Sequence, residues 1–307
     1  MLAVVFPGQG SQYVGMARSL YDEFTEVRPL FEQAAEILGD DFLKLMFEGP
    51  EELLKESKNT QPAILLHSIV GYELLKRRVT DFSPAIVMGH SLGEYSALVA
   101  AGVIDFVTAL KLVRRRGELM SAAGDKHPGG MAAVLGVTAD VVESKIRELQ
   151  RYGTIVVANY NSPMQTVISG ELDMIDRAIE EFKKLGVRKV VKLKVSGAFH
   201  SPLMEEASEE FAKLLDEVEF NTPRIPIIPN ATGKLTQDKE ELKSALKRQM
   251  RSPVLWTQSV REAKRFGIRR VIEVGPKKVL CGLINKIDAE IETSNLDTAE
   301  DMAKFVK

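Results

Sequence analysis

Apolar runs at 2–6 and 85–88, uninterrupted, and at 225–228 and 271–274, which carry Pro226 and Glu273, are separated by long stretches in which apolar residues recur every three or four positions. Short runs without polar alternation suit strands buried on both faces of a parallel sheet, and the longer period suits helices packed against it. Helices are predicted over 16–20, 26–38, 51–56, 60–78 with Pro62 in the first turn, 92–101, and 106–123 with Asp105 as N-cap. Further helices are predicted over 201–218, with Ser201 as N-cap and Pro202 as first helical residue, and over 240–250 and 278–286. Strands alternating with helices imply an α/β fold, a mostly parallel sheet with helices on both faces.

The pattern changes after the glycine- and proline-containing stretch at 124–130. It predicts strand 131–135, helix 139–151, strand 154–158, turn 159–163, strand 166–169, helix 173–185 and strand 188–195. This β-α-β-β-α-β order is that of a ferredoxin-like unit. Residues 127–196 are therefore expected to form a small inserted subdomain, with 1–126 and 197–307 making up the large catalytic α/β subdomain.

One junction carries chemistry. Gly89-His90-Ser91-Leu92-Gly93 joins the run at 85–88 to the helical pattern from Leu92, and a G-x-S-x-G between strand and helix is a nucleophile elbow. The alternative is an ordinary glycine-flanked turn. In the elbow, Ser91 Oγ stands at the carboxyl edge of the sheet, and the Leu92 N–H at the helix N-terminus faces any oxyanion formed there. Gly8 and Gly10 allow an irregular loop that turns the Gln9 N–H toward a site, although G-x-G lacks the third glycine of a dinucleotide fingerprint.

On the helix predicted from Phe106, Ala109, Leu112, Val113, Leu119, Met120 and Ala123 form one stripe, with Arg116 in its middle. A guanidinium facing inward must be paired, either with an internal carboxylate as a structural ion pair or with a carboxylate or phosphate of a substrate. Pattern alone leaves both open. His200 precedes a predicted helix N-terminus, where the dipole favours the neutral imidazole a general base needs; the alternative is a solvated loop histidine. Of the other histidines, His67 lies in an apolar helix as a core or interface residue, and His127 lies in a loop as a solvated one.

Composition narrows the classes. The 307 residues carry 41 Lys+Arg against 43 Asp+Glu, a net charge of −2, which argues against bulk association with nucleic acid or anionic membrane. Hydrophobic content of 45% supplies a sizeable core. The single cysteine, Cys281, sits in an apolar run as a buried small hydrophobe and has no partner for an internal disulfide. The N-terminus lacks a signal-peptide pattern, and no run reaches the ~18–20 apolar residues of a membrane span. A cytoplasmic protein is expected.

Four stretches together resemble a known family over essentially the full length: Phe6-Pro7-Gly8-Gln9-Gly10-Ser11-Gln12, Gly89-His90-Ser91-Leu92-Gly93-Glu94-Tyr95-Ser96, Gly197-Ala198-Phe199-His200-Ser201 and Glu273-Val274-Gly275-Pro276. The family is the malonyl-CoA:acyl carrier protein transacylases of fatty acid synthesis, with the related acyltransferase domains of polyketide synthases. The resemblance implies an α/β-hydrolase-like core with a ferredoxin-like insertion, Ser91 as nucleophile, and His200 as base. It also implies an oxyanion hole from the Gln9 and Leu92 N–H groups, Arg116 as the malonyl-carboxylate clamp, and Gln249 beside the histidine, whose imidazole a backbone carbonyl orients. Gln61, His90 and Asn159 match pocket positions, and Phe199 matches malonyl-selective members. The implied partners are malonyl-CoA and acyl carrier protein, with no cofactor and no metal. Acidic carrier proteins suit a basic docking surface, for which Lys183, Lys184, Arg188, Lys189, Arg248 and Arg251 are candidates; each also reads as solvated surface charge. The competing activities are a serine esterase, which shares the elbow, and a carrier-binding scaffold with a dead site.

Overall fold

The computed structural model describes residues 1–306 and contains two four-stranded sheets. The first is formed by β1 (Leu2–Phe6), β2 (Ile86–Gly89), β7 (Arg270–Val274) and β8 (Glu292–Leu296), all parallel in the order β2-β1-β7-β8. Side chains alternate across central β1. Val4 and Phe6 join the core built by the long helices Ser57–Arg78 and Phe106–Lys126, while Ala3 and Val5 join a second core containing Trp256, Val260 and Ile284. Burial on both faces explains the absence of polar alternation in β1 and β2.

The second sheet is antiparallel, with β3 (Gly129–Leu135), β4 (Ile155–Ser162), β5 (Gln165–Glu171) and β6 (Lys189–Lys192) in the order β4-β5-β3-β6. Helices Ala139–Leu149 and Leu172–Lys184 contribute Ile146 and Phe182 to a core with Ala132, Val134 and Ile168. The alternate residues Met131, Ala133 and Val167 instead join the core shared with the long helices. This sheet therefore presents one face to the rest of the molecule.

Several expectations are corrected. Residues 225–228 form no strand: Ile227 makes only isolated bridges, to Val87 and Thr236. Pro226 and Pro229 remove the N–H groups a ladder needs. The fourth strand of the parallel sheet is β8, whose polar Glu-Thr-Ser-Asn-Leu sequence lacks the apolar signal because it lies at the edge. Residue 159 is not in a turn: β4 continues to Ser162 with register shifts, and its outer edge bonds to Val254, with Val254 N–H donating to Ala158 O at 2.8 Å and Tyr160 N–H to Val254 O at 2.9 Å. The long helix begins at Ser57, so Pro62 lies inside it rather than in its first turn. Proline frees the carbonyl four residues earlier, and Arg114 Nη1 donates to that carbonyl, Lys58 O, at 3.2 Å. After Ser201, whose Oγ accepts from Leu203 N–H, the first turn is a short 3-10 segment, Pro202–Met204, and the α-helix runs from Glu205 to Glu217. The helix predicted to reach Met250 is Lys239–Arg248, leaving Gln249 in a 3-10 turn, Gln249–Arg251.

Candidate active site

β2 ends at Gly89, and helix Gly93–Ala100 begins four residues later. Between them Ser91 has φ +51°, a left-handed conformation unusual for a residue with a side chain. The two glycines permit this turn by close approach. A Cβ on Gly89 would lie 1.9 Å from the Gly93 carbonyl carbon, and one on Gly93 would lie 2.0 Å from Phe6 O. Asn230 braces the same turn, because its Oδ1 accepts from Ser91 N–H at 2.6 Å while its Nδ2 donates to Gly89 O at 2.6 Å. The sequence marks Asn230 only as part of a turn, since the segment it braces is 139 positions away.

Ser91 Oγ lies 2.8 Å from His200 Nε2. On the far side of the ring, Nδ1 faces two backbone carbonyls, Gln249 O at 2.9 Å and Ser252 O at 3.1 Å. Two acceptors there place the ring proton on Nδ1 and leave Nε2 free to accept from the serine hydroxyl. Burial first, and the Arg116 charge second, push His200 down to about 3. The helix dipole invoked from sequence is thus not the leading influence.

Arg116 is 1% exposed, and its guanidinium is held by neutral groups. Nη1 donates to Gln61 Oε1 at 2.9 Å, and Nη2 donates to Gln249 Oε1 at 3.0 Å and to Ser91 Oγ at 3.2 Å. Its carbon centre lies 5.5 Å from the Tyr95 ring centroid. No carboxylate is in ion-pair contact with it: two side-chain amides hold it, the buried Glu94 acts on it only at a distance, and its Nη2 edge is turned to the serine.

These groups open onto a cavity of about 160 Å³ lined by Gln9, Ser91, Arg116, Asn159, Phe199 and His200 among others. Through Gln9, His90 and Asn161 it continues into a cleft of about 420 Å³ that runs between the two sheets, past Lys55 and Lys194. His90 is half-buried, with Nε2 2.8 Å from Asn161 Oδ1 and its ring edge-on to Trp256 at 5.6 Å. Gln9 lines the cavity, and its Nε2 donates to Ser57 Oγ at 3.1 Å. Leu92 is fully buried at the start of the elbow helix, and Gln61 reaches the site through Arg116. Sequence reasoning did not find Asn161, Asn230 or the structural place of Glu94, each of which bonds to a residue remote in sequence. Cys281 is buried, its thiol pushed up to about 12 by burial and the adjacent Glu273. Among the described residues no cluster of three or more potential metal ligands occurs, and no helix is long and apolar enough to cross a membrane.

Residues 3–301 match the family model described as an acyl transferase domain. The chain is 42% identical over 301 residues to a malonyl CoA-acyl carrier protein transacylase of Staphylococcus aureus, an alignment covering 98% of this chain and 96% of that relative. It is 39% identical over 303 residues to the protein of that name from Haemophilus influenzae, covering 99% and 96%. The structure superposes with TM-score 0.95 on the crystal structure of a malonyl-CoA:acyl carrier protein transacylase from Xanthomonas oryzae, 40% identical, covering 99% of this chain and 97% of that one. A malonyl-transacylase in complex with a type II PKS acyl-carrier protein gives TM-score 0.95 at 36% identity, covering 99% and 98%.

Proposed function

The chain belongs to the acyl transferase domain family, and from that premise we propose that it transfers a malonyl group from malonyl-CoA to the phosphopantetheine thiol of acyl carrier protein, for fatty acid synthesis. The observation that carries the choice of acyl group is Arg116, a buried cation whose hydrogen-bond partners are all neutral and whose Nη2 is turned toward Ser91 Oγ. An anionic acyl chain completes such a site.

The reaction proceeds in two half-reactions through a malonyl-serine ester. His200 Nε2 takes the Ser91 proton as Oγ attacks the thioester carbonyl, and the Gln249 and Ser252 carbonyls hold the ring through Nδ1–H. The resemblance assigns the oxyanion to the Gln9 and Leu92 N–H groups, and Ser91 N–H, already given to Asn230, does not compete for it. The tetrahedral intermediate collapses, His200 returns the proton to the leaving sulfur, and coenzyme A departs as the thiol. The carrier's phosphopantetheine thiol then attacks the ester, giving its proton to His200, and Ser91 recovers it. Exchange between thioester and ester draws on no redox or metal chemistry. Phe199, on the cavity wall, restricts the room beside the acyl α-carbon. Gln61 and Gln249 hold Arg116, while His90 and Asn159 shape the pocket.

The fold is read as an α/β-hydrolase-like core, residues 1–126 and 197–307, with a ferredoxin-like subdomain at 127–196. The strand order β4-β5-β3-β6 with two helices packed on one face supports that reading. The carrier's pantetheine arm enters along the cleft between them. Intact-mass measurement after mixing with malonyl-CoA tests the proposal. A malonyl adduct on Ser91 that is discharged by reduced acyl carrier protein supports it. An adduct lost to water faster than to the carrier indicates an esterase, and no adduct overturns the assignment.

A further inference from the structure

Glu94 follows the elbow as the second residue of helix Gly93–Ala100, and its carboxylate is 1% exposed. It touches neither the cavity nor His200. One oxygen, Oε2, accepts from Gln249 Nε2 at 2.8 Å and from Asn230 N–H at 3.0 Å. Burial pushes Glu94 up to about 7 in spite of these two donors, so holding a carboxyl here is costly. A costly buried polar group persists where it sets the position of something else.

Its partner Gln249 is an amide, whose two ends have similar shape and opposite hydrogen-bonding sense. Gln249 Nε2 donates to Glu94 Oε2 and to Ser91 O at 3.0 Å, which turns Oε1 toward Arg116 Nη2. Rotated by half a turn, the amide would set N–H groups against the guanidinium and a carbonyl oxygen against the carboxylate. We propose that Glu94 is a positioning residue that fixes the Gln249 amide and through it holds Arg116 in the orientation that receives an acyl carboxylate. The inference rests on the reading of Arg116 given above and adds the residue that aims it. Glu94 then sets acyl selectivity without contacting substrate.

The role separates from simple support of the elbow by its substrate dependence. If Glu94 acts through Gln249 and Arg116, its loss harms transfer of an acyl group bearing a carboxylate and spares one lacking it. Should it merely brace the turn around Ser91, both substrates suffer alike. Rates of Ser91 acylation by malonyl-CoA and acetyl-CoA are followed by intact mass in the parent, Glu94→Met and Glu94→Gln. Methionine keeps volume and removes the acceptor, and its malonyl rate is expected to fall about tenfold or more, the scale of one lost buried hydrogen bond, with acetyl changed by less than about threefold. Glutamine retains an acceptor oxygen and is expected to keep the parent's malonyl-to-acetyl ratio within about threefold. An equal fall for both substrates in Glu94→Met overturns the proposal. So does a collapse of the ratio in Glu94→Gln, an isosteric variant that keeps the proposal open to refutation even where the methionine variant does not fold. A parent that forms no malonyl adduct refutes the site reading itself, a different result from an adduct whose selectivity ignores Glu94.

Discussion

Ser91 sits at φ +51° with its N–H already committed to Asn230 and its Oγ shared between His200 and Arg116. Each of those three neighbours has a distinct expected signature. His200→Ala slows acylation about 10²–10⁴-fold, the scale of a positioned base, measured in single-turnover experiments with malonyl-CoA. Arg116→Ala loses at least about tenfold in malonyl kcat/KM while acetyl transfer changes little, because a charge-assisted pair contributes about 1.5–3 kcal/mol and acetyl has no carboxylate to strand. Equal losses for both substrates, with a large fall in melting temperature, return Arg116 to a structural role. Asn230→Ala removes both braces of the turn, so acylation by both substrates falls together and thermal stability drops with it. The elbow was legible because glycine, serine and glycine act within five consecutive positions. Arg116 was legible as an anomaly on a stripe, but its meaning was not, since Gln61 and Gln249 reach it from 55 and 133 positions away. Nothing near Asn230 or Glu94 in the chain announces a partner so distant.

Two glycines, one opening the elbow helix and one inside the helix Phe106–Lys126, show how closely the layers approach. A Cβ on Gly93 meets Phe6 O at 2.0 Å, and one on Gly117 meets Ser57 O at 2.5 Å, where the two long helices cross. Backbone cannot yield as a side-chain tip can, so Gly93→Ala is expected to cost about 3 kcal/mol or more, the upper range for overpacking, read from chemical denaturation. A loss below about 1 kcal/mol would show that β1 and the elbow helix are free to separate. Elements declared themselves in the sequence where burial is uniform, as in β1 and β2. They failed to do so at the edge, where β8 carries polar residues, and at 225–228, where an apolar run is interrupted by prolines. β4 was cut short because asparagines at 159 and 161 read as turn formers, although the register shifts in β4 and its bonds to Val254 accommodate them. Pro62 misled for a related reason: Arg114, from the neighbouring helix, takes up the carbonyl that the proline frees.

Across the whole molecule, burial sets the response to pH. His67, His90 and His200 are all held below the usual imidazole range by desolvation. As pH falls below about 6.5, the unfolded chain takes up protons that these buried rings refuse, so stability present at neutral pH is lost on acidification. Glu94, pushed up to about 7, works in the opposite sense: its contribution is full below about 4.5 and fades as pH rises through 7. Glu273, also raised by burial, adds to Glu94, and three groups against two predict a net fall in melting temperature from pH 7 to pH 5, steepened in Glu94→Gln, where one opposing titration is gone. A flat profile would contradict the burial of the three rings. The same overall path brings the peptide groups of residues 249 and 252 against His200 Nδ1, and this has a consequence for how such a site is inherited and studied. In a triad completed by a carboxylate, one codon change deletes the third member. Here the third member is main chain, which every amino acid supplies, so changing Ser252 to alanine leaves its carbonyl in place. Trimming side chains would then never register these two carbonyls of the proposed site, and only a change in the course of the chain between the helix ending at Arg248 and the helix beginning at Trp256 could remove what neither codon encodes.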